Sequence, residues 1–290
     1  MFYPKITIVT PNYNGSRYLE DTIMSVFGQN YPNLEYIIID GGSTDGSINI
    51  IKKYENRLAY WVSEPDNGMY HAIQKGFEKS TGELMAWINS DDMYHKNAFF
   101  TIAEIFDTFD EVNWLVGAST FYDEENRTVH CNQSRLFTKF DFYNYDFKWL
   151  EQESVFWRRS LWNISGATLN TKLKYAGDFD LWLKLFKYEK LYVTHALIGG
   201  FRWRSSKQLS TEHFEEYLVE ANDAIKQVML SYEDQRILNN YKLILKIKSI
   251  LDYFLFFNTD WIEQRFRNRY FPKPTWIAFD RHKMKFMLSS

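Results

Sequence analysis

The sequence predicts an α/β fold: a doubly wound, mainly parallel sheet followed by a helical C-terminal extension. Short apolar, β-branched runs alternate with segments of helical periodicity from residue 5 to residue 92. Polar loops rich in Asp, Asn, Gly and Ser follow the ends of those runs. From Glu212 onward the pattern is mostly helical.

The first strand is residues 5–10 (KITIVT), ending at Pro11, and Arg17 to Phe27 then sets Tyr18, Leu19, Ile23, Val26 and Phe27 on one helical face. Tyr36 to Ile39 is a second strand, closed by Asp40-Gly41-Gly42-Ser43-Thr44-Asp45-Gly46, with a helix from Ser47 to Tyr54. A third strand spans Leu58 to Val62, and after the loop 64–68 a helix runs from Met69 to Lys79. Gly82 stops it, and a fourth strand, Leu84 to Ile88, runs into Asn89-Ser90-Asp91-Asp92. Beyond that lie a helix near Ala98 to Phe106, a strand near Trp114 to Ala118, an unassigned aromatic stretch through Trp149, and a helix over Tyr175 to Phe186. In doubly wound sheets ligands bind outside the carboxyl ends of the strands, so the polar loops are expected to face one crevice.

Composition narrows the function. The chain has 290 residues, enough for one α/β domain plus an extension. A net charge of -3 and a pI near 6.1 leave no footprint for nucleic-acid binding. Aromatic residues make up 19%, enough to supply sugar- or base-stacking faces besides the core. The single cysteine, Cys131, excludes an internal disulfide and reads as a small packing residue. No charged n-region with an apolar h-region opens the chain, which points to the cytoplasm.

Asp91-Asp92 at a strand end suits a hard divalent ion, Mn²⁺ or Mg²⁺, which one or two carboxylates share with phosphate oxygens. Asp40, followed by two glycines, can reach a base edge or ribose, or simply cap its turn. Residues 10–14, with Pro11 and Asn14, and residues 64–68, with Asp66, can line the same crevice. A carboxylate at a helix start, Asp178, suits a general base, with Asp180 as second choice.

The ordered set Thr10-Pro11-Asn12-Tyr13-Asn14, Asp40 to Gly46, Glu64 to Gly68, Asn89-Ser90-Asp91-Asp92 and Gly177-Asp178-Phe179-Asp180-Leu181-Trp182 resembles glycosyltransferase family 2 over residues 5 to 205. The resemblance implies a GT-A fold with a mixed sheet, an inverting mechanism, a nucleotide-diphosphate sugar donor, most often UDP-linked, and Mn²⁺ or Mg²⁺. It implies that Pro11, Asn14, Asp40, Asp66 and Asp91 bind the nucleotide, Asp92 the metal, that Asp178 is the catalytic base, and that Gln152 and Glu153 lie on the acceptor side. The partition expected is a catalytic domain over 1–205 and a helical, basic and aromatic extension over 206–290. A glycan or lipid-linked acceptor, in polysaccharide or cell-envelope synthesis, fits this reading.

Two positions depart from the family pattern: Asn89 stands at the first place of the metal motif, and Gly177 stands where Glu is frequent before the base. No Gln-X-X-Arg-Trp motif and no apolar run of ~20 residues is present, which favours single addition over processive synthesis. A sugar nucleotidyltransferase or a non-catalytic binding protein on the same fold remain as rivals. Residues 241–290 carry ten Lys and Arg against four Asp and Glu. This segment suits either peripheral contact with the inner face of a membrane or packing on the catalytic domain.

Overall fold

The structure is a computed structural model that describes residues 3–132, 134–145, 150–205, 208–255 and 259–289. The last four residues of the aromatic stretch through Trp149, and the start of the extension at 206, lie outside the described residues.

In chain order the strands are β1 (Ile6–Asn12), β2 (Leu34–Asp40), β3 (Tyr60–Ser63), β4 (Leu84–Trp87), β5 (Met93–Tyr94), β6 (Trp114–Val116), β7 (Ser119–Tyr122), β8 (Thr128–Asn132), β9 (Val155–Arg158), β10 (Tyr192–Thr194), β11 (Gly199–Arg202), β12 (Thr275–Asp280) and β13 (Lys285–Ser289). The helices are α1 (Leu19–Phe27), α2 (Ser47–Tyr54), α3 (Met69–Lys79), α4 (Ala98–Thr108), α5 (Lys139–Tyr143), α6 (Arg159–Ile164), α7 (Gly177–Phe186), α8 (Leu209–Glu212), α9 (Phe214–Gln227), α10 (Tyr232–Leu255) and α11 (Asp260–Tyr270).

Nine strands form the main sheet in the order β13-β12-β10-β6-β9-β4-β1-β2-β3. β1 pairs in parallel with β2 and β4, and β2 with β3, while β9 runs antiparallel between β4 and β6. The sheet is therefore mixed. Its strands are apolar on both faces because helices cover both: Ile8 and Ile38 face α1, α2 and α4, while Val9, Ile37 and Ile39 face α3 and α7. Pro11 is tolerated inside β1 because β4 stops pairing at Val9, opposite Trp87.

A smaller sheet, β5-β11-β7-β8, stands over the end of β4. Its outer strand β8 is exposed along its whole length, so Cys131 is exposed rather than packed, correcting the expectation for that residue. β8 pairs with β7 alone and covers no core.

Four tryptophans fix α7 against the sheet. Trp182 stacks on Trp87 at 5.8 Å and on Trp114 at 5.9 Å, and Trp157 meets both Trp87 and Trp182 edge-on. All four are essentially fully buried, so the N-terminus of α7 is held rigidly beside the end of β4.

The extension is helical through Tyr270 and then returns to the sheet. β12 pairs in parallel with β10, and β13 closes a hairpin on its far side. Ile277 and Phe286 are buried by this pairing. Among the described residues no helix is long and apolar enough to cross a membrane.

Candidate active site

The loops after β1 and β2 are locked together by Asp40. This fully buried carboxylate accepts from Asn12 Nδ2 and Ser43 Oγ at Oδ1, both 2.6 Å. At Oδ2 it accepts from Gly42 N (3.2 Å), Ser43 N (2.9 Å) and Ser63 Oγ (2.6 Å). Burial pushes its pKa up, but bonds from Ser43, Ser63 and Asn12 outweigh that and hold it below the ordinary value. A carboxylate offers about four lone-pair sites, so Asp40 serves first as the pin that shapes the crevice, and a base edge would compete with protein donors for it.

Asn14 continues the zipper. It adopts a left-handed conformation (φ 51°), its amide donates to Ser43 Oγ at 2.7 Å, and its Oδ1 accepts from Thr44 N at 2.9 Å. Asp66 caps its own turn through Gly68 N at 2.8 Å, and its Oδ2 lies against the backbone of Gly41, where an added Cβ would sit 2.9 Å away. The same Cβ would meet the ring of Tyr13 at 3.3 Å. Gly41 is thus the floor of a notch between Asp66 and Tyr13, whose ring is 69% exposed. Tyr13 stood within the sequence motif without being singled out; its exposure beside the notch is what marks it.

At the end of β4 the two acids separate. Asp92 is fully buried, accepting from Arg202 N at 2.8 Å and Asn89 Nδ2 at 3.2 Å. Asp91 keeps a quarter of its side chain exposed and pairs with Arg204 at 3.2 Å. Burial raises both, with Asp91 adding repulsion on Asp92 and Arg204 opposing the rise at Asp91. Arg202, fully buried, ties this loop to the small sheet by donating to the Asp91 and Asp123 carbonyls at 2.6 and 3.0 Å. Ser205 is anchored to Glu124, which also pairs with Arg17 of the loop after β1, so the segment that carries Arg204 is fixed beside Asp91.

The base candidate Asp178 sits at the start of α7. Its Oδ1 accepts from Phe179 N at 2.7 Å and lies 3.3 Å from the Tyr70 hydroxyl. Burial raises it to about 6 despite those bonds. The segment before it is pinned from α9: Glu220 accepts from the amides of Lys174, Tyr175 and Ala176, each at 2.9 Å. Asp180 is taken up by Lys184 at 2.8 Å. Glu151, beside Asp178, is raised to about 7 by burial and by the Asp178 charge.

Gln152 and Glu153, expected on the acceptor side, are both buried. Gln152 donates to the Trp87 carbonyl at 2.7 Å, and Glu153 is 2% exposed, kept well above the carboxylate range by burial and by Glu151 and Asp92. Tyr70, Glu151, Arg202, Arg204 and Glu220 were missed in the sequence. Each acts through a contact with a distant segment, and no local pattern marks such a contact.

Among the described residues no cluster of three His, Cys, Asp or Glu forms a self-sufficient metal cage. The metal was expected at Asp92 and the nucleotide at Asp91, but Asp92 is fully buried and already accepts from Arg202 N and Asn89 Nδ2. The part-exposed Asp91 carboxylate is therefore the donor that better suits a hard cation taking most of its ligands from a diphosphate, with Asp92 and the unpartnered Asn89 Oδ1 behind it.

The sequence profile of Glycosyl transferase family 2 matches residues 7–162. An uncharacterised glycosyltransferase of Rickettsia prowazekii is 25% identical over 233 residues, covering 75% of this chain and 70% of that protein. A putative teichuronic acid biosynthesis glycosyltransferase of Bacillus subtilis is 37% identical over 97 residues, 32% of this chain and 38% of that one. Among solved structures, S. aureus TarS 1-349 in complex with UDP-GlcNAc superposes with a TM-score of 0.64 at 19% identity, covering 86% of this chain and 73% of that one. A mannosyltransferase from Pyrobaculum calidifontis in complex with GDP-Man and Mn²⁺ gives 0.62 at 18% identity, covering 82% and 69%. The structural neighbours establish a GT-A fold; with its profile matched over more than half of the sequence, this chain is a glycosyltransferase that belongs to glycosyl transferase family 2.

Proposed function

We propose that the chain moves a single hexosyl or N-acetylhexosaminyl unit, with inversion, from a UDP-linked sugar to a hydroxyl of a glycan or lipid-linked glycan in polysaccharide or cell-envelope synthesis. The observation that carries this reading is the pairing of a polar crevice at the ends of β1, β2 and β4 with a carboxylate, Asp178, whose pKa is raised to about 6. A base with that pKa is ionised at neutral pH yet still takes a proton. The UDP-GlcNAc and UDP complexes of TarS, and the teichuronic acid name of the Bacillus relative, support the choice of donor and setting. The setting proposed is cytoplasmic, at the inner face of the membrane.

In the mechanism Asp178 takes the acceptor hydroxyl proton as that oxygen bonds to the anomeric carbon and the bond from that carbon to the diphosphate breaks. Tyr70 and the Glu220-pinned segment hold the carboxylate in place for this. Tyr13 and Asp66 flank the uracil, the Asp40 pin shapes the loops of Pro11 and Asn14 around the ribose, and Arg204 faces the diphosphate from above Asp91. Asp91, backed by Asp92, would hold Mn²⁺ or Mg²⁺, which when bound supplies Lewis-acid stabilisation of the departing diphosphate.

The test is release of UDP from UDP-hexose and UDP-N-acetylhexosamine donors in the presence of candidate glycan acceptors. Asp178→Asn is expected to lower transfer by about 10²–10⁴-fold while binding UDP like the wild type. Transfer that survives in this variant would remove Asp178 from the role.

A further inference from the structure

We propose that the outward face of the α10–α11 hairpin is a docking surface for an anionic lipid membrane. This rests on the extension alone and stands whether or not the donor reading holds.

The hairpin is attached to the catalytic body by one side only. Leu238 and Tyr241 of α10 are buried, Arg267 of α11 pairs with the buried Asp141 at 2.7 Å, and Phe271 packs on Phe140 with ring centroids 4.7 Å apart. The two helices hold each other through Tyr241 and Glu263 (2.7 Å) and Lys248 and Asp260 (2.6 Å). On the opposite side of α10, Leu243, Ile247, Ile250 and Phe254 recur at i, i+4, i+7 and i+11 and form one stripe. They are 55%, 40%, 56% and 70% exposed, with Tyr253 beside them. A large apolar stripe left in water this way marks an interaction site.

Charge identifies the occupant. Lys242 and Lys246 flank the stripe, and on α11 the exposed Trp261, Arg265 and Arg269 follow one another at i, i+4 and i+8. These three, with Gln264 and Asn268, line a shallow surface groove. Four of the five acids of the hairpin are engaged elsewhere: Asp234 with Lys139, Asp252 with Lys248 and Thr259, Asp260 with Lys248, and Glu263 with Tyr241 and Arg267; the fifth, Glu233, lies in the first turn of α10, away from the stripe. Lys246 and Arg265 have no ion-pair partner among the described residues.

The segment 241–290 has a net charge of +6 in a chain of -3, so the other 240 residues carry -9. An anionic surface attracts this end of the molecule and repels the rest, which orients the protein. A basic, apolar and aromatic helical face with Trp and Tyr at its margin matches the chemistry of a lipid headgroup region, where rings sit at the interface and cations meet phosphates. A second copy of the chain would bring like charges together across the same stripe, which disfavours it.

The experiment is co-sedimentation of the full chain with phosphatidylcholine vesicles with and without phosphatidylglycerol, at low and high salt. Binding is expected only with phosphatidylglycerol and is expected to weaken as salt rises. Lys246→Ala and Arg265→Ala should each lower partitioning about five-fold, from the worth of one basic residue near such a surface. Phe254→Ser and Trp261→Ser should also lower it, with thermal melting and UDP titration unchanged, since these side chains are exposed and belong to none of the loops that build the crevice. Failure to bind phosphatidylglycerol vesicles, or partitioning unchanged in all four variants, would overturn the proposal. A concentration-dependent dimer lost in Phe254→Ser, without vesicle binding, would overturn it in favour of a second copy.

Discussion

Gly177 lies directly against the ring of Tyr70: a Cβ at residue 177 would come within 2.7 Å of three ring carbons. A side chain at this position therefore has no room without displacement of the ring. The space that a side chain before the base would fill is taken by Tyr70, which is 3% exposed and donates to the Tyr175 carbonyl at 2.8 Å. The glycine leaves room for a ring whose hydroxyl lies 3.3 Å from Asp178 Oδ1.

Gly177→Ala should cost about 1–3 kcal/mol in urea unfolding, the range for overpacking a closed site. It should also reduce transfer, because the ring and the start of α7 must move apart. Unfolding and activity both like the wild type would mean that Tyr70 yields freely.

Transfer should lose rate as pH falls through about 6, the pKa to which burial raises Asp178. The sign follows from the role: a base must be ionised. Tyr70→Phe removes a bond that favours the ionised form, so the acid limb should move up; Glu220→Gln removes a negative charge near Asp178, so it should move down. Opposite shifts in pH–rate profiles separate positioning of the base from a general loss of structure. The raised pKa also means that the fold is favoured by a protonated Asp178: its contribution is full below the ordinary carboxylate pKa and is lost as pH rises through about 6. Asp178→Asn should remove that loss.

Glu35→Gln should destabilise the fold by about 1–3 kcal/mol near neutral pH. Glu35 is buried and accepts from Thr7 Oγ1 (2.5 Å), Thr81 N (2.6 Å) and Thr81 Oγ1 (2.7 Å), with Lys5 at 2.8 Å. Burial raises its pKa, but these partners outweigh it and bring it to about 2. Its contribution is thus present above the ordinary carboxylate pKa and is lost as pH falls toward 2. Denaturant midpoints across that acid range, wild type against variant, check both statements.

Most of the catalytic half was legible in the sequence for a physical reason. Strands β1, β2 and β4 are buried on both faces, so Tyr36 to Ile39 and Leu84 to Ile88 read as continuous apolar runs and Ile6 to Val9 as one broken only by the β-branched Thr7, and their ends are marked by turn residues that need particular backbone conformations. Asp178 stood out because it opens a helix of clear periodicity. Its supports did not, because Tyr70 and Glu220 reach it across 108 and 42 residues of chain. The β12–β13 hairpin carries a weaker signal: Trp276 to Phe279 is a short apolar run whose alternating burial shows only in the fold, and Asp280 caps a turn by accepting from His282 and Lys283 amides. The basic residues around that turn drew attention to charge instead. Cys131 misled because burial statistics for cysteine say nothing about an edge strand.

Asp40→Ala should loosen both donor loops at once. It removes the acceptor of Asn12, Ser43 and Ser63, leaving buried donors unpaired at about 1–3 kcal/mol apiece before relaxation. A lower melting temperature with loss of UDP binding is expected; loss of binding at unchanged stability would give Asp40 a direct contact with the base instead.

The most direct test of the donor site is calorimetric titration of UDP into the wild type and Asp91→Ala, with Mn²⁺ and then with EDTA. UDP binding that falls when the ion is removed, and that no longer responds to the ion in Asp91→Ala, is the expected result. No UDP binding by the wild type under either condition would contradict the assignment of the crevice to a UDP-linked donor.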